Sequence, residues 1–309
     1  MESTIRAAAT GLGLGRVTAM SPVDGGLSND MWRVSTDEGE FAVKVMRAHE
    51  DSVGFQDNIE SAFVIERRAF RAGVPCPEPM PTAEGRALLR AEGRWVRAHR
   101  WCEGTAAVPG ECLEEAGHLL ARIHRVGRSS TGAISDRPHG GHAWRALGDQ
   151  RGLPALLADQ LRTAATRLAR LESMTAVGAH RRVELADSHG DLDPKNTLRS
   201  AERLLAVDWD AAGRRSLERE AVGLALDWAT AITSFHRVLS VYTGSVGLRL
   251  PAEPWVFGGW VAALSDWLVF NVEHRAGSDL GRREASQTCD RLLALHRDLD
   301  AHLAVLSAL

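Results

Sequence analysis

The hydrophobic pattern of this chain changes in character near residue 102. Before that point, short runs with apolar residues at alternate positions are separated by turn-rich segments such as 21–30, which is typical of antiparallel strands. One helix-like stretch, at 57–72, interrupts these runs. After residue 102, apolar residues recur at helical spacing over 111–126, over 154–174 and again beyond residue 218. The sequence therefore predicts an α+β fold, with a small antiparallel sheet followed by a mainly helical part.

Length and charge limit the classes of protein that this chain can represent. It has 309 residues, of which 44% are hydrophobic and 25% charged, and its formal net charge is −3. At this length two lobes that share a cleft are expected, and the nearly balanced charge argues against nucleic-acid binding. The first residues lack a signal-peptide pattern, and the apolar stretch 255–272 is interrupted by Asp266 and Asn271. We therefore expect a cytoplasmic monomer or homodimer without a membrane or nucleic-acid partner.

The cysteines give no sign of a disulfide framework or of a zinc site. Cys76, Cys102, Cys112 and Cys289 are scattered, and no CxxC pair or HExxH motif occurs. A long cytosolic chain does not need disulfides, so these residues are expected to be reduced and mostly packed.

Polar residues with a recognisable chemistry are concentrated in segment 186–213, ADSHGDLDPKNTLRSAERLLAVDWDAAG. His189 and Asp191 are followed by Asn196, and Asp208 comes after the apolar run RLLAV. Carboxylate and amide oxygens at neighbouring loops can hold Mg²⁺, while one further carboxylate orients a hydroxyl group. The order His-x-Asp-x-x-x-x-Asn, a strand and then Asp is that of a kinase catalytic loop and its metal-binding aspartate. The segment therefore indicates phosphoryl transfer.

The motifs HGDLDPKN and VDWDAAG together resemble those of the aminoglycoside phosphotransferase and choline kinase-like family of small-molecule kinases. Asp193 stands where protein kinases usually have a lysine, and Trp209-Asp210 replaces their Phe-Gly, so a protein kinase is disfavoured. The resemblance implies a two-lobed protein-kinase-like fold, with an N-terminal nucleotide-binding lobe at 1–100 and a larger catalytic and acceptor-binding lobe at 101–309. It also implies ATP, with GTP as the alternative, and Mg²⁺ as cofactors.

The same resemblance assigns roles to the catalytic segment. Asp191 would accept or orient the proton of the acceptor hydroxyl, and Asn196 and Asp208 would hold the metal. His189 would orient the loop. A coincidental surface turn is the competing interpretation, but two linked motifs separated by a strand argue against it.

The nucleotide side of the expected site lies mostly in the first hundred residues. Lys44, in the strand-like run EFAVKVM, would neutralise nucleotide phosphates, and a carboxylate of the following helix, Glu66 or alternatively Glu60, would hold it. The backbone of Arg100 and Cys102 would bind adenine. Each of these residues, read alone, is equally compatible with an ordinary surface position. The turn DGGLSND would cover the nucleotide through Gly25, Gly26, Ser28 and Asn29.

The acceptor is not fixed by the sequence. The family's acceptors include aminoglycosides and other antibiotics, choline, homoserine and sugars, so resistance or self-protection against an antibiotic and a metabolite kinase both stay open. Asp227, Asp266 and Glu273 are candidate acceptor anchors, and a minority of the late aromatic residues could line an acceptor site. A different hypothesis is a catalytically silent nucleotide-binding regulatory protein on the same fold. A serine hydrolase is disfavoured because no G-x-S-x-G motif occurs.

Overall fold

A computed structural model of the protein describes residues 1–23, 29–47, 52–177, 181–201 and 203–309. The α+β class predicted from the sequence is confirmed. The α-helices are α1 Glu2–Gly11, α2 Phe55–Arg71, α3 Leu113–Val126, α4 Gly140–Gly148, α5 Ala155–Thr175, α6 Leu217–Trp228, α7 Ile232–Val246, α8 Gly258–Phe270 and α9 Asp279–Ala308. The strands are β1 Val17–Val23, β2 Asp30–Thr36, β3 Gly39–Val45, β4 Pro79–Met80, β5 Leu89–Ala91, β6 Arg94–Arg100, β7 Thr105–Ala106, β8 Ser129–Ile134, β9 Arg181–Ser188, β10 Thr197–Arg199, β11 Leu204–Ala206 and β12 Gly213–Ser216.

The described chain forms two compact units that are not continuous in sequence. The first consists of Met1–Arg128 and Ala186–Arg214, and the second consists of Ser129–Leu185 and Arg215–Leu309. Segment 186–214, which carries the kinase-like motifs, thus belongs to the same unit as the N-terminal sheet. The boundary expected at residue 100 separates a nucleotide-binding lobe from a catalytic and acceptor-binding lobe, whereas these two units are separated by their compactness alone. The expected lobe boundary therefore stays a prediction.

An antiparallel sheet forms the framework of the first unit. Its strand order is β1-β2-β3-β6-β4, and β5 pairs with the first three residues of β6. Alternation along β3 sends Phe41, Val43 and Val45 into a core that also contains Ile5 and Ala8 of helix α1. The intervening residue Lys44 therefore points to the opposite face of the sheet, where its cross-strand partner is Arg97 of β6. The pleat thus separates an apolar face from a charged one.

A smaller sheet completes the first unit. Strand β10 lies between β7 and β11, with Leu198 opposite Ala106 and Thr197 opposite Ala206. A short 3-10 turn, Pro194–Asn196, leads into β10, and another, Trp209–Ala211, follows β11. Asn196 lies in the first turn, and Asp208 immediately precedes the second.

Helices make up most of the second unit, as the late periodicity predicts. Its core contains large aromatic side chains that are almost wholly inaccessible, including Trp144, Trp228, Phe235, Tyr242 and Phe257. Most of the late aromatic residues are therefore structural.

One helical segment among the described residues, Pro254–Arg275, is long and apolar enough to cross a membrane, with a mean hydropathy of 1.2. It consists of a 3-10 turn, helix α8 and a π-helical turn, and 56% of its most apolar window is buried inside the protein. The core helix of a soluble protein passes the same test, so this segment is weak evidence for a membrane span.

Candidate active site

The loop after β9 is held by a buried histidine. His189 Nε2 lies 2.9 Å from the carbonyl oxygen of Val207, and the backbone N–H of Asp191 lies 3.3 Å from Nδ1. One tautomer, protonated at Nε2, satisfies both contacts by donating to Val207 and accepting from Asp191. The ring also packs against Trp209 at 4.7 Å between centroids. His189 therefore fixes the start of the loop against the end of β11.

Asp191 and Asn196 meet within this loop. Asn196 donates from Nδ2 to the carboxylate of Asp191 at 2.8 Å and to its backbone oxygen at 3.0 Å. Burial and the nearby Asp193 raise the pKa of the Asp191 carboxyl against the opposing effect of Lys195. Because the amide nitrogen of Asn196 faces Asp191, its amide oxygen points elsewhere and is available as a ligand.

Lys44 lies close to two aspartates that follow β11. Its side chain is buried, and Nζ donates to Asp208 Oδ1 and to Asp210 Oδ2, each at 2.5 Å. Asp208 has a φ of 61°, in the left-handed region, which bends the chain sharply between the two carboxylates. Burial opposes the charge of the lysine, but the carboxylates of Asp210 and Asp208 outweigh it and raise the pKa of Lys44. The fold thus joins Lys44 to residues that lie 164 and 166 positions away in the sequence.

Arg97 is a central residue of this cluster that sequence reasoning missed. Its guanidinium, 1% exposed, donates to Asp210 Oδ1 at 2.6 Å and to the Glu66 carboxylate. His99 Nε2 lies 2.8 Å from the other oxygen of Glu66. Burial would raise the pKa of Asp210, but Arg97 and Lys44 outweigh it and lower the pKa to about 2. The sequence carries a partial signal, since Arg97 and His99 alternate with Val96 and Ala98, but the pairing of this strand with the Lys44 strand is visible only in the structure.

The helix carboxylates do not hold Lys44 directly. Glu66 is occupied by Arg97 and His99, and its interactions with these two residues lower the pKa of Glu66 despite its burial. Glu60 instead accepts from the backbone N–H groups of Ala87 and Leu88 at 2.9 and 3.1 Å, respectively. The expected Lys44–Glu66 pair, with its Glu60 alternative, is therefore wrong for this structure, because Arg97 lies between the helix carboxylate and the lysine network.

The remaining predicted nucleotide contacts are only partly described. Gly25, Gly26 and Ser28 lie outside the described residues, and Asn29 Oδ1 accepts from the backbone N–H of Arg47 at 3.0 Å. At the end of β6, the backbone N–H of Arg100 donates to the carbonyl oxygen of Glu78 at 2.8 Å, and that of Trp101 donates to the carbonyl oxygen of Glu40 at 2.9 Å. Arg100 thus ends a strand that is fixed on both sides, Cys102 lies just beyond it, and their roles toward adenine stay predictions.

The donor set at the loop suits a hard divalent cation. No group of three or more His, Cys, Asp or Glu side chains among the described residues is arranged to hold a metal ion. Asp208, whose side chain is 46% exposed, and the amide oxygen of Asn196 are oxygen donors of the kind that Mg²⁺ uses when phosphates and water complete its shell. The residues present therefore fit magnesium and not a thiolate or imidazole site.

The acceptor candidates lie in the second unit, and each of them has a partner there; for Glu273 it is the neighbouring His274, with 3.9 Å between Oε2 and Nε2. Asp227 accepts from Trp260 Nε1 at 2.8 Å and from Arg291 at 2.6 Å. The Asp266 carboxylate lies 3.0 Å from His139 Nε2, and Glu273 lies in the exposed part of the π-helical turn. These contacts are those of structural or surface residues, so none of the three is singled out as an acceptor anchor.

Comparison with known proteins agrees with the motifs. Residues 19–238 match the family model described as a phosphotransferase enzyme family (APH). A homoserine kinase from Methylobacillus flagellatus is 28% identical over 140 residues, which make up 44% of this chain and 41% of that protein. The aligned part thus spans less than half the length of this curated relative.

Two solved structures show the same fold. A choline/ethanolamine kinase family protein from Mesorhizobium loti has a TM-score of 0.61 at 20% identity, covering 99% of this chain and 98% of that one. A spectinomycin phosphotransferase in complex with ADP and spectinomycin has a TM-score of 0.57 at 11% identity, covering 91% and 94%, respectively. The family match extends over more than half of the sequence, and it confirms the resemblance inferred from the loop motifs: the chain belongs to the phosphotransferase enzyme family.

Proposed function

We propose that this protein is an ATP-dependent O-phosphotransferase that moves the γ-phosphate of ATP to a hydroxyl group of a small molecule in the cytoplasm. The observation that supports this most strongly is the convergence, in one compact unit, of Lys44 with Asp208 at 2.5 Å and of Asp191 with Asn196 at 2.8 Å. Family membership supports the same reaction class.

Each of these side chains has a part in the proposed reaction. Asp191 takes the proton of the acceptor hydroxyl as its oxygen bonds to the γ-phosphorus, and the bond from that phosphorus to the β,γ-bridging oxygen breaks to release ADP. Lys44 neutralises charge on the nucleotide phosphates. Asn196 and Asp208 would hold Mg²⁺, which supplies further charge neutralisation there when bound. The proton on Asp191 then passes to solvent.

The acceptor class is left broad in this proposal. The relatives found act, by name, on homoserine, on choline or ethanolamine, and on spectinomycin. Two of the three names denote small amino alcohols or a hydroxylated amino acid, so these compounds head the panel of acceptors to test, and antibiotics with free hydroxyl groups follow.

The test is mass spectrometry of that panel after incubation with the protein, Mg²⁺ and ATP or GTP. We expect one compound to gain a phosphate with wild-type protein and none with Asp191→Asn, while calorimetry shows that the variant still binds Mg-ATP. Wild-type turnover by the variant would remove Asp191 from its proposed role. Mg-ATP binding without phosphorylation of any acceptor or loss of its γ-phosphate would instead favour the silent nucleotide-binding protein.

A further inference from the structure

Arg97 links helix α2 to the turn that follows β11. The proposed reaction needs these two parts of the first unit to be held in fixed positions. It lies on β6 directly opposite Lys44 of β3, and two like charges in that position repel each other. Both are nevertheless buried, with 1% and 5% of their surface exposed. Such an arrangement is stable only if anions lie between or beside the cations, and here Asp210 accepts from both.

The second anion of Arg97 comes from helix α2. Its Nη2 group binds Glu66, whose side chain is 1% exposed, and its guanidinium carbon lies 6.0 Å from the centre of the Phe63 ring on the same helix. The guanidinium therefore spans from α2 to the turn after β11. Its planar fork suits this use, because two carboxylates can be held at fixed angles, which a lysine ammonium cannot do.

We infer that Arg97 is a positioning residue through which Glu66 acts on Asp210, and hence on Lys44, an inference that deepens the proposed function and rests on it. The contacts form a single series, from Glu66 to Arg97, from Arg97 to Asp210 and from Asp210 to Lys44. The helix carboxylate thus orients the phosphate-binding lysine indirectly. Asp210, by this inference, serves to orient the lysine, because its two oxygens accept from Lys44 and Arg97. Asp208 binds the lysine through Oδ1 and is the more exposed of the two carboxylates, which suits it to a metal.

A double-mutant cycle separates indirect from direct action of Glu66. The variants are Glu66→Gln, Arg97→Met and the double variant that carries both substitutions. The quantity measured is the Kd for Mg-ATP in the absence of any acceptor. We expect Glu66→Gln to weaken binding about tenfold in the wild-type background and less than about twofold when Arg97 is already replaced. An equal loss in both backgrounds would show that Glu66 acts on the nucleotide site without Arg97.

Two further variants guard against a purely structural effect. Glu60→Gln removes a carboxylate of the same helix whose partners, within the part of the chain that the structure describes, are Arg86 and the backbone of residues 87 and 88, so it should lower Tm and leave the Kd unchanged. If Arg97→Met does not fold, Arg97→Lys retains the charge but cannot span both carboxylates, and the same cycle is measured with it. A Kd change for Glu60→Gln as large as for Glu66→Gln would assign the effect to helix packing and overturn the inference.

A readout that needs no nucleotide distinguishes this inference from the proposed function. The rate of Lys44 acetylation by acetic anhydride, followed by peptide mass spectrometry, reports how firmly the ammonium is held. We expect Glu66→Gln to raise this rate only when Arg97 is present. If Glu66→Gln raises the acetylation rate only in the presence of Arg97 while the wild-type protein binds no Mg-ATP, the proposed function fails and the positioning role stands. If Glu66→Gln changes the acetylation rate equally with and without Arg97, the positioning role fails.

Discussion

Asp208 and Asp210 both hold Lys44, yet their surroundings differ. The side chain of Asp208 is 46% exposed, whereas that of Asp210 is 22% exposed and also binds Arg97. We therefore expect Asp208→Asn to raise the Mg²⁺ concentration for half-maximal rate by at least about tenfold. Asp210→Asn should instead raise KM for ATP with the Mg²⁺ requirement unchanged. Initial rates measured against Mg²⁺ and ATP check this, and an equal Mg²⁺ shift in both variants would make Asp210 a metal ligand too.

The candidate site was predictable from sequence only where its residues stand in a motif. Asp191, Asn196 and Asp208 occur at fixed spacings around one strand, and the loop geometry follows from that spacing. Arg97 does not stand at a fixed spacing from these motif residues. It reaches the site because its strand pairs with the strand of Lys44, and a single sequence does not specify that pairing. The pairing partner of Glu66 could not be predicted for the same reason.

At the scale of the element, helix α3 ends where the chain passes very close to strand β9. A Cβ atom on Gly127 would lie 2.3 Å from the carbonyl oxygen of Asp187, and backbone cannot easily move away. We expect Gly127→Ala to lower the free energy of unfolding by about 1–3 kcal/mol. Urea denaturation of purified protein measures the difference.

Gly244 provides the matched control for this substitution. It lies within helix α7, and nothing comes within 4 Å of a Cβ atom built there. Gly244→Ala should stabilise the protein by about 0.5–1 kcal/mol, because alanine favours helix more than glycine does. A similar loss for both variants would mean that the close approach at Gly127 is not the cause.

Asp136 ties together three segments of the second unit. It forms two hydrogen bonds with Arg219 of α6, at 2.8 and 2.6 Å, and accepts from the backbone N–H of Val177 at 2.8 Å. Burial opposes its charge, but these bonds outweigh it and lower the pKa of Asp136 below 3.8. We expect Asp136→Asn to remove about 2 kcal/mol of stability at neutral pH.

The pH dependence of the stability difference between the wild-type protein and Asp136→Asn follows from the lowered pKa of Asp136. A carboxyl with a lowered folded pKa contributes its full stabilisation above its unfolded pKa of about 4, and this is lost as the pH falls through the folded value. We therefore measure urea midpoints of the wild-type protein and of Asp136→Asn in a series from pH 7 downward. The two midpoints should converge only below about pH 4. A constant difference throughout the series would contradict this origin.

Helices and strands with a strong apolar period were predictable to within a few residues. The patterns at 111–126 and 154–174 correspond to α3 and α5, and the pattern at 57–72 corresponds to α2. Strand β8 could not be predicted, since segment 127–142 is rich in glycine and serine, a composition typical of a surface loop. Alternate residues of β8 are exposed and the others half-buried, so no apolar alternation marks it.

At the scale of the whole molecule, the first unit depends on a segment that is distant in sequence. Residues 186–214 supply both carboxylates that bind Lys44, one of the two that bind Arg97, and strand β10, which pairs with β7. A fragment of residues 1–128 would leave two buried cations short of anions, so we expect it to lack a cooperative unfolding transition. Adding a peptide of residues 186–214 should restore one, as measured by circular dichroism. Cooperative unfolding of the fragment alone would contradict this dependence.

This discontinuity matters during translation. Ribosomes add roughly 5–20 residues per second, so the sheet of the first unit leaves the exit tunnel some seconds before segment 186–214 is made. Throughout that interval the nascent chain holds Lys44 and Arg97 without Asp208 and Asp210, and the charged face of the sheet stays open to water and to chaperones. The protein therefore completes its first unit only after the whole first segment of the second unit, Ser129–Leu185, has been synthesised.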